Sequence, residues 1–126
     1  MNRLQTGYAG EVSMHEVSIV ESLIDILKDT ARENGLSKIT RITLRIGQMR
    51  QIVPEAMKFA FEVVGKGTVA EGAEIIMNTV PTRAQCNRCA ERFPVDDYCF
   101  LCPSCGGIDV AVVEGKELFI DSLEGE

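Results

Sequence analysis

The chain has a single histidine, no excess of basic residues and no apolar run near the roughly 18 residues that a membrane-spanning helix needs. Each shortage removes a class of function. Thirteen Lys and Arg stand against nineteen Asp and Glu, and the resulting net charge of −6 repels phosphate backbones and anionic membranes. No basic stripe with interleaved aromatics is present either, so neither nucleic acid nor a membrane is an expected partner. There is no glycine-rich phosphate loop, the carboxylates are scattered, and His15 is the only imidazole; the expectation is a protein that is not an enzyme. The first thirteen residues lack the apolar segment of an export signal, which predicts a cytoplasmic chain with reduced thiols.

What is present is a foldable sequence of 126 residues, 45% apolar and 25% charged, enough for one compact unit or two small ones. Residues 1–13 carry no helical or strand period and read as a tail. From Val17 the apolar positions Val17, Val20, Ile24, Leu27 and Ala31 line one face of a helix over 16–34, which Asn34-Gly35 stops. Ser13 and Glu16 have capping-box spacing at its start. Ile42, Leu44 and Ile46 alternate with Arg41, Thr43 and Arg45, as in a strand buried on one side. Pro54 suits the first position of a second helix, with a stripe of Met57, Ala60, Phe61 and Val64 ended by Gly65-Lys66-Gly67. A second strand is expected over 73–80. Apolar segments at 110–113 and 117–120 flank Glu114-Gly115 as a hairpin would, and 118–123 could return to the first sheet.

Between these segments, Cys86-Asn87-Arg88-Cys89, twelve residues, and Cys102-Pro103-Ser104-Cys105 make a paired-cysteine array. This stretch has too few aliphatic residues for a core of its own and needs a staple. Two turns that each present two thiolates can close a tetrahedron around Zn²⁺ with no open position, which makes a structural ion rather than a hydrolytic one. A rubredoxin-like iron site uses similar pairs, a thioredoxin-type motif uses one, and disulfides are disfavoured by the compartment. Cys99 could exchange with Cys102 or Cys105 as a ligand; a small buried residue is the simpler expectation. Such ribbons serve many functions, so the module alone names none.

His15 lies between Met14 and Glu16 at the head of the first helix. A chain beginning at Met14 would offer an amine, amide nitrogens and an imidazole, a donor set that suits the square-planar preference of Ni²⁺. A lone histidine is more often a packing or surface residue, and Ser13 already gives Glu16 a capping role.

From Met14 onward, about nine-tenths of the chain resembles the HypA/HybF family of hydrogenase nickel-incorporation proteins. The resemblance rests on Met14-His15-Glu16, on Ile46-Gly47 followed by Val53-Pro54-Glu55, and on the two cysteine pairs in that order. It implies a nickel metallochaperone that binds Ni(II) weakly as transient cargo and passes it toward the large subunit of [NiFe]-hydrogenase, with a HypB-type GTPase as partner and with room for a homodimer. His15 would be the nickel imidazole, Met14 and Glu16 neighbouring ligands, and Cys86, Cys89, Cys102 and Cys105 the ligands of a structural Zn(II). Four thiolates and one Zn²⁺ take the net charge from −6 to −8, which attracts cations and basic partner surfaces. Family members begin at the Met of this motif whereas thirteen residues precede it here, so Met14 is the expected cellular start. The fold that follows is α+β: two helices on a small three-stranded antiparallel sheet, with an inserted zinc-ribbon-like domain. Its expected divisions are an extension over 1–13, a nickel-binding domain over 14–84 plus 115–126, and a zinc-binding domain over 85–114. The alternative is a zinc-ribbon interaction module without nickel transfer.

Overall fold

Amphipathic periodicity builds the first layer. In the computed structural model, which describes residues 2–4 and 16–126, helix α1 (Glu16–Glu33) buries Ile19, Val20, Leu23, Ile24, Leu27 and Ala31. Val17, expected on that face, is 47% exposed, because it projects from the first turn to one side of the stripe. Gly35 at φ +67 closes the helix, and the Leu36 N–H reaches back to the Ala31 carbonyl at 2.8 Å, a left-handed stop that only a residue without Cβ adopts at no steric cost.

The strands of the first sheet are β1 (Asn2–Leu4), β2 (Ile39–Gly47), β3 (Glu74–Val80) and β7 (Leu118–Gly125), in the order β1-β7-β2-β3. Helix α2 (Pro54–Val64) starts at Pro54, as expected, and lies between β2 and β3 in the chain. Both helices pack on this sheet around Leu23, Leu27, Ile42, Leu44, Met57, Ile120 and their neighbours. The α+β class stands, but two details differ from expectation. Strand β3 runs parallel to β2, because the connection passes through α2 and returns the chain to the same end of the sheet. Part of the segment read as a tail, Asn2–Leu4, pairs antiparallel with β7, and three residues are too short for a strand period to be seen in the sequence.

A second, three-stranded sheet holds β4 (Arg83–Cys86), β5 (Arg92–Pro94) and β6 (Val110–Glu114), with β4 in the centre and both pairings antiparallel. Its small core is Ala84, Cys86, Phe93, Val95 and Cys102. The hairpin expected around Glu114-Gly115 does not form: β6 pairs with β4, and β7 crosses into the first sheet. Gly115, at φ +118, sits at that crossing against Thr82, where the chain had left the first sheet.

Backbone and side-chain hydrogen bonds together hold the crossing. Gly47 N–H donates to the Glu117 carbonyl at 2.6 Å, Met49 N–H to the Gly115 carbonyl at 2.9 Å, and Arg50 Nε to the Lys116 carbonyl at 2.8 Å. Gln48 Oε1 accepts from Thr82 N–H at 3.1 Å, and Gln51 Nε2 donates to the Tyr98 hydroxyl at 2.7 Å.

Candidate metal centre

Two short turns build the site from the backbone upward. Cys86 ends β4; its N–H donates to the Glu91 carbonyl and its carbonyl accepts from Ala90 N–H, both at 2.9 Å. The second turn repeats the pattern: Cys102 N–H donates to the Gly107 carbonyl at 3.0 Å, and Gly106 N–H to the Cys102 carbonyl at 2.8 Å. Each turn places a left-handed residue just after its second cysteine, Gly106 at φ +72 and Ala90 at φ +65. Asn87 fastens the first turn to the approach of β6, with its N–H on the Asp109 carbonyl at 2.9 Å and its Nδ2 on Oδ1 of Asp109 at 3.0 Å.

The turns face each other across their sulfurs. The Sγ atoms of Cys86, Cys89, Cys102 and Cys105 all lie within 4.8 Å of one another, with Cys86 to Cys105 at 3.6 Å and Cys89 to Cys102 at 3.5 Å. A tetrahedral ion with metal–sulfur bonds of about 2.3 Å requires sulfur–sulfur edges of about 3.8 Å, so this donor set fits a tetrahedral thiolate ion with small adjustment. The first cysteine of each pair is buried and the second is exposed, which leaves one side of the cluster open to solvent.

The same turns polarise the thiols. The Cys89 and Arg88 N–H groups draw the Cys86 thiol down to about 7 against the opposing effect of burial. The Cys105 N–H, with that of Ser104, lowers Cys102 in the same way. For Cys89 the Glu91 N–H pulls down, but the Cys102 thiol, burial and the other two sulfurs outweigh it and push the group up to about 12. Cys105 is likewise raised by Cys86 and Cys102 although the Gly107 N–H opposes. Crowded sulfurs without a cation are thus pulled in opposite directions, and a divalent ion removes the conflict by stabilising all four as thiolates.

Cys99 is exposed rather than buried. Asp97 and Tyr98, at φ +50 and +57, form a tight turn closed by the Cys99 N–H on the Asp96 carbonyl at 2.9 Å, and that turn lifts the segment off the small core. Cys99 is absent from the four-sulfur cluster. Of the Met14, His15 and Glu16 set, Met14 and His15 lie outside the described residues, as does Ser13 of the capping box. Glu16 is the first residue of α1, where a carboxylate also complements the helix N-terminus. The residues at the junction of the two sheets, Gln48, Gln51, Thr82 and Tyr98, carry no sequence signal, because their meeting depends on chain crossings far apart in sequence. Among the described residues, no helix is long and apolar enough to cross a membrane.

Comparison with known proteins places this arrangement. The family described as hydrogenase/urease nickel incorporation, metallochaperone, HypA matches residues 14–125. The hydrogenase maturation factor HypA of Acidithiobacillus ferrooxidans is 41% identical over 113 residues, 90% of this chain and the whole of that protein. The factor of the same name from Geobacter sulfurreducens is 42% identical over the same shares. The solution structure of the Ni metallochaperone HypA from Helicobacter pylori superposes with a TM-score of 0.69 at 27% identity, covering 89% of this chain and 97% of that one. With the matched segment running from the Met-His-Glu motif through both cysteine pairs to the end of β7, the chain belongs to the HypA family of nickel-incorporation metallochaperones.

Proposed function

We propose that the protein carries Ni²⁺ on Met14, His15 and Glu16 and hands it to the large subunit of a [NiFe]-hydrogenase in the cytoplasm, working with a HypB-type GTPase. The observation that carries this reading is the span of the family match, which begins at Met14 and includes every residue in question. Zn²⁺ is the resident ion in this proposal, held by Cys86, Cys89, Cys102 and Cys105. Its chemistry there is structural: it neutralises four clustered thiolates and locks two turns that have only a small core beneath them.

The cargo ion needs the opposite properties. A carrier must select its metal and still release it, and nitrogen donors from the His15 imidazole and neighbouring amides do both, because protons compete for them and exchange requires no unfolding. Acid is therefore expected to release nickel before zinc. The acidic surface favours cation capture and a basic receiving surface.

Calorimetric nickel titration of zinc-loaded protein, comparing residues 1–126 with 14–126 and adding His15→Ala in the shorter chain, tests the proposal. One nickel per chain, held more tightly by 14–126 and lost on His15→Ala, supports it. If neither chain binds nickel, the zinc-stapled interaction module is the better reading.

A further inference from the structure

The two sheets have separate cores, and among the described elements no helix or strand of the first body packs extensively on β4, β5 or β6. The orientation of the second sheet therefore rests on what lies at the junction. At one point the two chain runs pass side by side, where Gly115 meets Thr82. The other point is a pair of turns. Residues 48–51 follow β2 and residues 96–99 follow Val95, and each turn is closed by its own backbone bond, from Gln51 N–H to the Gln48 carbonyl at 3.4 Å and from Cys99 N–H to the Asp96 carbonyl at 2.9 Å. Gln48 Oε1 fixes the start of the first turn on Thr82 N–H at 3.1 Å, and Gln51 Nε2 then reaches across to the Tyr98 hydroxyl at 2.7 Å.

Both turns hold conformations that their residues resist. Gln51 at φ +54, Asp97 at φ +50 and Tyr98 at φ +57 are left-handed, and none of them is glycine, so each carries a steric cost at its Cβ. The surroundings do little to enforce that strain by packing. A cavity of about 110 Å³ lies between the turns, lined by Gln48 and Met49 from one body and by Val95, Asp97 and Tyr98 from the other. Tyr98 is 60% exposed, so its bond to Gln51 competes with water and offsets only part of the strain. Strained turns joined by a single exposed bond across a cavity make a contact that is held but releasable.

We infer that Gln51 and Tyr98 form a latch that sets the orientation of the second sheet on the helical body. Closed, the bond holds the two left-handed turns against each other across the cavity. Open, both turns relax and the second sheet tilts about the Thr82–Gly115 contact. Gln51 and Tyr98 are thus positioning residues, and the latch is independent of the nickel reading, since it uses none of the proposed metal ligands.

The test uses the zinc-loaded full chain, labelled with ¹⁵N and weakly aligned, so that residual dipolar couplings report the orientation of each sheet. In the unaltered chain one alignment is expected to fit both. Tyr98→Phe, which removes the hydroxyl and keeps the ring, should end that agreement: the couplings of 83–86, 92–94 and 110–114 no longer fit the alignment of the first sheet, and the amides of 48–51 shift together with those of 96–98. Gln51→Leu should do the same from the other side, and the double variant should add nothing further, as expected of two halves of one contact. Three results overturn the inference: one alignment for both sheets in the single variants, two alignments already in the unaltered chain, or additive effects in the double variant. If Tyr98→Phe releases zinc, Gln51→Leu decides, because its substitution lies outside the second sheet and its cysteine turns.

Discussion

Replacing Gly47 by alanine should cost far more than a methyl group normally does. Its backbone is ordinary extended chain, at φ −66° and ψ 142°, so alanine meets no conformational penalty there. The obstacle is another segment: a Cβ at Gly47 would overlap the Gly115 carbonyl and lie 2.5 Å from the Lys116 nitrogen. To make room, the β2 end and the 115–117 segment must separate, which strains the three bonds from Gly47, Met49 and Arg50 across the crossing. Overpacking costs about 1–3 kcal/mol. Losing two of those hydrogen bonds adds about 1 kcal/mol each, for a total of about 3–5 kcal/mol against a domain stability of about 5–15 kcal/mol. Gly67 is the control, because it sits at φ +76 with nothing within 4 Å of where a methyl group would stand. Alanine there pays for backbone handedness alone, about 1 kcal/mol. Urea unfolding of the zinc-loaded variants, read by circular dichroism, separates the two. If Gly47→Ala loses no more than Gly67→Ala, close approach at the crossing is not what requires glycine.

Ala90→Gly should stabilise the first cysteine turn by about 0.5–1 kcal/mol, since alanine holds a left-handed conformation there; tighter retention of zinc against a competing chelator is the readout. Cys102→Ser should remove the tetrahedral ion and collapse the amide dispersion of residues 83–114 in a ¹H–¹⁵N spectrum, while α1, α2 and the first sheet keep theirs, because their core does not include the cysteine turns. Removing the ion with a chelator should act as Cys102→Ser does, with loss of amide dispersion confined to 83–114, and acid should favour removal because protons compete for the four thiolates; unchanged dispersion after removal would contradict it.

Much of the fold is written locally and was therefore readable. The stripe from Val20 to Ala31, the alternation from Ile42 to Ile46 and the start at Pro54 each follow from a period or a single backbone constraint, and each element appears where expected. The four sulfurs were readable for the same reason, because two C-x-x-C turns are local and the ion they can share brings them together. Pairing direction was not local. That β3 runs parallel to β2 depends on α2 returning the chain, and that Gly115 serves a crossing rather than a hairpin depends on Thr82 and Gly47, residues 33 and 68 positions away. Cys99 shows a third limit: its type predicts burial, but the turn at Asp97-Tyr98 lifts it out, and neither residue is one that advertises a left-handed pair as glycine would.

The meeting of Thr82 with Gly115 also says how this architecture can be rearranged. The chain leaves the first sheet and re-enters it at two points in van der Waals contact, with a Gly115 Cβ position 2.8 Å from the Thr82 Cα. From the standpoint of the helices and the first sheet, everything between is a cassette on adjoining sockets, and closing the gap takes a connector of few residues with little loop entropy. Two runs of chain joining the bodies also form a strap rather than a string, because rotation of one sheet against the other would wind one run around its neighbour.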